Sequence, residues 1–175
     1  MASVQSVPSS LSKAGRGHHI ASKLELLLQT DRDVVPLLLR GALGTVMFPH
    51  GAQKALGWFG GGGFQGTMRY FIDIVHLPAL LGYLIIAAEF LGSILLVIGL
   101  GTRFAALSIG LVMIGAASLV HAPNGFFMNW FGNQSGEGFE YHLLAIAIAA
   151  AIVVRGGGRW SIDLKLYGLG SSTRA

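Results

Sequence analysis

Long runs of apolar residues, separated by short polar stretches, dominate the chain once an opening polar region has passed. Four runs stand out: Val34 to about Gly51, Pro78 to Gly99, Arg103 or Phe104 to about Ala122, and Glu140 to Val154. In each, apolar residues occupy every helical face, the pattern of a helix solvated by lipid, whereas a surface helix of a soluble domain shows one apolar stripe. At roughly 1.5 Å per residue the second run is about 33 Å long, matching a hydrocarbon core of about 30 Å. Asp33 is placed to cap the first run, and Pro36 falls in its first turn, where a missing N–H does no harm. The fourth run is short and draws a final turn from the RGGGRW segment. Between runs one and two, Phe64, Met68, Phe71, Ile72 and Val75 recur at helical spacing, with Arg69 and Asp73 four apart. That pattern predicts a short helix lying in the membrane interface. The expected fold is all-α: a four-helix transmembrane bundle with an interfacial helix between spans one and two.

Residues 1–33 are rich in Ser, Gly, Lys, Arg and His, and their apolar patch LELLL is shorter than the roughly 7–15 residues of a signal-peptide core. They read as a disordered or surface-lying tail retained by the mature protein. Residues 34–164 form the membrane domain and 165–175 a second tail. The tight turn near Arg103 makes runs two and three an antiparallel hairpin. With the N-terminus inside, Lys13, Arg16, Lys23, Arg32, Arg103, Arg155, Arg159, Lys165 and Arg174 share one side, against Lys54 and Arg69 on the other. This asymmetry places both termini in the cytoplasm. Phe126, Phe127, Trp130 and Phe131, just beyond the third run, suit the headgroup belt.

Composition agrees with lipid as the solvent: 53% of residues are hydrophobic and 11% charged, where soluble domains carry roughly a quarter charged residues. The pI of about 9.8 does not indicate nucleic acid, because the basic residues are scattered and form no stripe. With no cysteine, disulfides, thiolate-held clusters and thiol–disulfide chemistry are excluded. Redox work would then need a bound cofactor, a quinone or a partner. Gly61-x-Gly63-x-x-Gly66 has the dinucleotide-binding spacing, but it follows no strand and reads as a turn.

An ionisable residue at membrane depth costs several kcal/mol unless paired or hydrated. Glu89 falls about 16 Å into the second run and Arg40 about 9 Å into the first, at helical rise. Their depths in antiparallel spans match closely enough to predict an Arg40–Glu89 ion pair, which either fixes helix register or borders a polar cavity. A second set gathers at the opposite face: His50, Lys54, His121, Glu140 and His142. Histidine can donate to a quinone carbonyl and exchange protons near neutral pH, and a carboxylate beside it can pass the proton on. The three histidines with Glu140 could also ligate a metal, but no compact spacing such as HExxH occurs, and no metal is assigned.

The segments FPHGAQKALGWFGG, AAEFLGSILLVIGLGTRFAAL, HAPNGFFMNW and GFEYHLLAIAIAAAIVVRGGGRWSID resemble, in order, the blocks of the DoxX family of small bacterial membrane proteins, from about Leu37 to Leu164. Arg40, His50, Gly51, Lys54, Glu89, Arg103, His121 and Glu140 occupy motif positions. The long opening tail and RGGGRW depart from the family pattern. The resemblance implies a four-helix bundle in the bacterial inner membrane, related to the membrane subunit of thiosulfate:quinone oxidoreductase. The leading expectation is an accessory subunit of a quinone-linked oxidoreductase, with quinone as its ligand and no covalent cofactor. Its partners would be lipid and a redox or membrane protein, with room for a homo-oligomer. The alternatives are a structural or assembly protein and a small proton-coupled transporter or channel.

Overall fold

The computed structural model describes residues 28–172; the expected opening tail lies outside them up to residue 27, as do residues 173–175. Six α-helices and no strand occur among the described residues: α1 (Val34–Leu56), α2 (Gly63–Arg69), α3 (Ala79–Ile98), α4 (Thr102–Ala116), α5 (Glu140–Arg155) and α6 (Ile162–Ser172). Helix α4 runs on through a wide π turn (Ala117–His121) and a tight 3₁₀ turn (Ala122–Asn124). The interfacial helix expected over Phe64–Val75 is α2 followed by a π turn at Tyr70–Ile74. Where a tail was expected after Leu164, α6 continues.

Helices α1, α3, α4 and α5 pack as neighbours in that cyclic order, α5 closing back onto α1. Two of them are long and apolar enough to cross a membrane: Ala79–Ile98 and the continuous stretch Thr102–Asn124. Their outward faces expose Leu84, Leu91, Leu107 and Leu111, as does Leu144 on α5. Large exposed apolar patches of this kind are rare on soluble monomers.

Hydrophobicity does not mark the inward faces; small and polar residues do. The buried stripe of α3 is Gly82, Ile86, Glu89, Gly92, Ser93 and Leu96, spaced three or four apart, so these side chains share one helical face. Helix α1 buries Pro36, Arg40, Leu43, Gly44, Met47 and Gly51 in the same way. Leu43, Met47 and Leu96 meet Ile109, Met113 and Ile152 in the main core, with Ala105, Ala106, Ala145 and Ala149 between them. A second, smaller cluster joins Met68 and Phe71 of the α2 segment to Ile86 and fixes the short helix against α3.

The first helix continues to Leu56, a turn and a half beyond the expected end near Gly51. Pro49 and Gly51 both argue for a stop in an isolated helix, yet tertiary contact uses Gly51. A Cβ there would lie 2.5 Å from Phe90 Cα and 2.7 Å from Glu89 C. At Gly44 it would lie 2.9 Å from Ser93 O. The α1 and α3 backbones are therefore nearly in contact, as small residues permit between membrane helices. Gly57, at φ 75°, finally ends α1 in the left-handed conformation that glycine adopts without strain.

Gly51→Ala is expected to lower stability by about 1–3 kcal/mol through overpacking. Gly41→Ala, inside the same helix with nothing within 4 Å, should hold or raise it, by up to about 1 kcal/mol. Thermal unfolding in mild detergent compares the two, and equal melting temperatures would contradict the close crossing.

Candidate functional site

The structure divides the polar side chains between the two ends of the helices. One end holds the α3–α4 turn, the RGGGRW segment and the start of α6. The other holds α2 and the 125–139 loop. The expected Arg40–Glu89 ion pair joins residues that belong to opposite ends, and it does not form.

Arg40 lies at the turn end, 2% exposed. Its Nη1 donates to the carbonyls of Leu96 and Val97 at 3.0 and 2.5 Å, Nε to Gly157 O at 2.9 Å and Nη2 to Arg159 O at 3.3 Å. The last carbonyls of a helix have no partner within it and carry the negative end of its dipole, so a guanidinium suits them. Arg103 does the same for α5, donating to Val153 O and to Val154 O, and its Nη2 reaches Gln29 O at 2.9 Å. Asp163, 1% exposed, serves the opposite polarity. Its two carboxylate oxygens accept from Gly101 N and Thr102 N at 2.8 and 2.9 Å and cap the start of α4.

Glu89 instead meets Lys54, Nζ to Oε2 at 2.6 Å, with the carboxylate 4% and the lysine 27% exposed. The expected pairing measured depth from the edges of the apolar runs. The true register brings Gly51 against Glu89 and Phe90, about 16 Å along α1 from Arg40 at helical rise. Because α1 runs on past Gly51, Lys54 stands on the same helix face as His50, four residues before it. Beside Lys54, a recess of about 260 Å³ opens toward α2, lined by Gly62, Gly66, Thr67, Tyr70 and Phe71. The Gly61–Gly66 stretch has no strand before it among the described residues, and Gly61 packs directly on the Gln53 backbone. Gly61 thus serves close packing, while Gly63, at φ 64°, turns the chain into α2.

Around the ion pair stand the remaining candidates. His50, on the exposed side of α1, has its ring 6.2 Å from that of Tyr141. Lys54 and Glu89 lie within its electrostatic range. Tyr141 is adjacent to His142, whose ring lies 4.1 Å from that of His121. His121 Nδ1 donates to Glu137 O at 2.9 Å, since a carbonyl can only accept. His142 is 6% exposed, and its Nδ1 is buried with no hydrogen-bond partner. Glu140 turns away. Its Oε1 accepts from Met128 N at 3.0 Å and from the Trp130 indole at 3.1 Å, so it anchors the 125–139 loop in place of standing free beside a histidine.

The structure thus brings His50, Lys54, His121 and His142 together with Glu89, and sets Arg40 and Glu140 to other work. Among the described residues, no three His, Asp or Glu side chains gather as a metal would need. Three participants were not singled out from the sequence: Tyr141, Ser161 and Asp163. Ser161 and Asp163 had a signal, since Ser-x-Asp after a glycine-rich stretch is a helix-start pattern. Ser161 Oγ indeed accepts from Leu164 N at 3.1 Å.

The DoxX family model matches residues 35–122, a stretch that includes Arg40, His50, Lys54, Glu89 and His121. The chain belongs to the DoxX family and is a membrane protein of that class. It is 33% identical over 120 residues to a Bacillus subtilis (strain 168) protein named "Putative oxidoreductase CatD", across 69% of this chain and 79% of that one. No solved structure matches it.

Lys54→Met should destabilise the protein by about 3 kcal/mol, more than the double variant Lys54→Met/Glu89→Leu, because it strands a buried carboxylate. Arg40→Met and Glu89→Leu should add to within about 0.5 kcal/mol. Unfolding in detergent tests both statements, and strong Arg40–Glu89 coupling would overturn the assignment.

Proposed function

We propose that this protein is an accessory subunit of a quinone-linked oxidoreductase in the bacterial inner membrane, with α1, α3, α4 and α5 all crossing the bilayer and both termini in the cytoplasm. The observation that carries this reading is the joined array of His121, His142, Tyr141, His50, Lys54 and Glu89 at one end of the bundle. Such an array offers what a ring bearing carbonyl or hydroxyl oxygens needs: imidazole and ammonium donors, imidazole acceptors, and an apolar surround. The oxidoreductase name of the Bacillus subtilis relative agrees with it. The electrons would pass through a partner, and the aromatic loop bearing Trp130 and Phe131, 78% and 90% exposed, gives that partner or the lipid headgroups a surface.

Arg40, Arg103 and Asp163 favour the assembly reading for their own end of the molecule only. Each is taken up by helix termini and is left out of the ligand site.

Protein purified in mild detergent is expected to retain quinone, detectable in an organic extract. The double variant His50→Ala/His121→Ala should bind a short-chain quinone analogue at least about tenfold more weakly, the loss of one to two hydrogen bonds. Unchanged affinity in a well-folded variant would remove the site.

A further inference from the structure

Lys54 is the member of the polar array that lines an open recess, the hollow of about 260 Å³ shared with Gly62, Gly66, Thr67, Tyr70 and Phe71. Its side chain is 27% exposed, whereas that of Glu89 is 4% exposed. An ammonium carries three N–H groups, and among the described residues the Lys54 Nζ has Glu89 Oε2 as its partner, at 2.6 Å. The Thr67 hydroxyl does not compete for it, since it donates to the Lys54 backbone carbonyl at 3.3 Å. The ammonium therefore has N–H groups left for an acceptor that enters the recess.

The walls limit what that acceptor is. Lys54 and Glu89 together carry no net charge, and no second cation lines the recess. An anion would meet the Glu89 carboxylate with no positive excess to hold it, whereas a neutral oxygen meets no such opposition. Tyr70 and Phe71 set two aromatic rings against the hollow, with centroids 5.9 Å apart, and aromatic walls suit a flat apolar ring. Small-molecule pockets run from about 300 Å³ upward. A recess of about 260 Å³ thus takes one ring, while a long tail stays in the lipid. Glycine keeps the space open, since a Cβ on Gly66 would meet nothing within 4 Å.

We propose that this recess seats the head ring of an uncharged quinone, one carbonyl oxygen of which accepts a hydrogen bond from the Lys54 ammonium. The inference rests on the quinone-linked reading above and adds to it the seat of the ring and the donor that holds it.

The test measures binding to the full chain in mild detergent, with two probes. One is a decyl-benzoquinone, and the other is a decyl-benzene in which methyl groups replace both carbonyl oxygens. The wild type should bind the quinone about tenfold tighter, the usual effect of one buried hydrogen bond. Lys54→Met/Glu89→Leu, which removes both charges together, should bind the two probes alike. Gly66→Leu fills the recess from an open position and should weaken quinone binding by about tenfold or more. Gly41→Leu, also open but not among the recess walls, should leave binding unchanged. Melting temperatures confirm that each variant folds, and either of the first two decides alone if the other does not. Quinone affinity that survives Gly66→Leu, or a quinone preference that survives the double variant, overturns the inference and leaves the quinone-linked reading standing. A wild type that binds no quinone ends both. Anionic phospholipid that displaces quinone from the wild type, and stabilises it but not Gly66→Leu, would mark a headgroup site and also overturn the inference.

Discussion

Backbone groups at helix ends have no partner within the helix, and meeting them with side chains shapes the turn end of the molecule. The last carbonyls of α3 and the first N–H groups of α4 are met in a buried setting, and the last carbonyls of α5 nearer the surface. Arg40 and Arg103 supply donors to the carbonyls, and Asp163 supplies acceptors to the N–H groups. Each charge sits at the helix terminus whose dipole favours it. The Gly157–Arg159 stretch closes over Arg40 because two of its carbonyls accept from the guanidinium. Arg155, paired with Asp31 and Asp33, then ties the end of α5 to the chain that leads into α1.

With one end closed in this way, the other is free to carry chemistry. The glycine crossing of α1 on α3 sets the register that brings Lys54 to Glu89. The ion pair in turn keeps a carboxylate inside the bundle beside His50 and Tyr141. Many Leu, Ile and Val side chains point outward, and the small and ionisable residues Gly44, Gly51, Glu89, Gly92 and Ser93 line the inward faces beside a few large apolar residues such as Leu43, Leu96 and Ile109. In lipid, apolar side chains gain little by turning inward, so close backbone contact and polar bonds decide which face is buried.

That inversion explains what the sequence made legible. The four apolar runs, the turn between runs two and three, the Asp33 cap and the short helix after Gly63 could be located from pattern alone. So could the residue types of the ligand-site candidates, since an ionisable group in an apolar run is conspicuous. Their partners could not. Pairing depends on register, and register is set by Gly44 and Gly51, residues whose contribution is the absence of a side chain. Reading Gly51 as the end of the first helix displaced Lys54 into a loop and left Arg40 as the apparent cation for Glu89. The bonds of Glu140 are illegible for a related reason: its partners, Met128 and Trp130, lie in a loop with no periodic pattern.

The residues that finish the turn end, Gly157 through Asp163, follow the four apolar helices in the chain. On the ribosome they are made after α1, α3, α4 and α5. Until they appear, the guanidinium of Arg40 lacks two of its four acceptors and the opening of α4 lacks its carboxylate. Locking of this end therefore follows the synthesis of the apolar helices it joins. A nascent chain released before that step carries exposed polar termini that distinguish it from the finished protein.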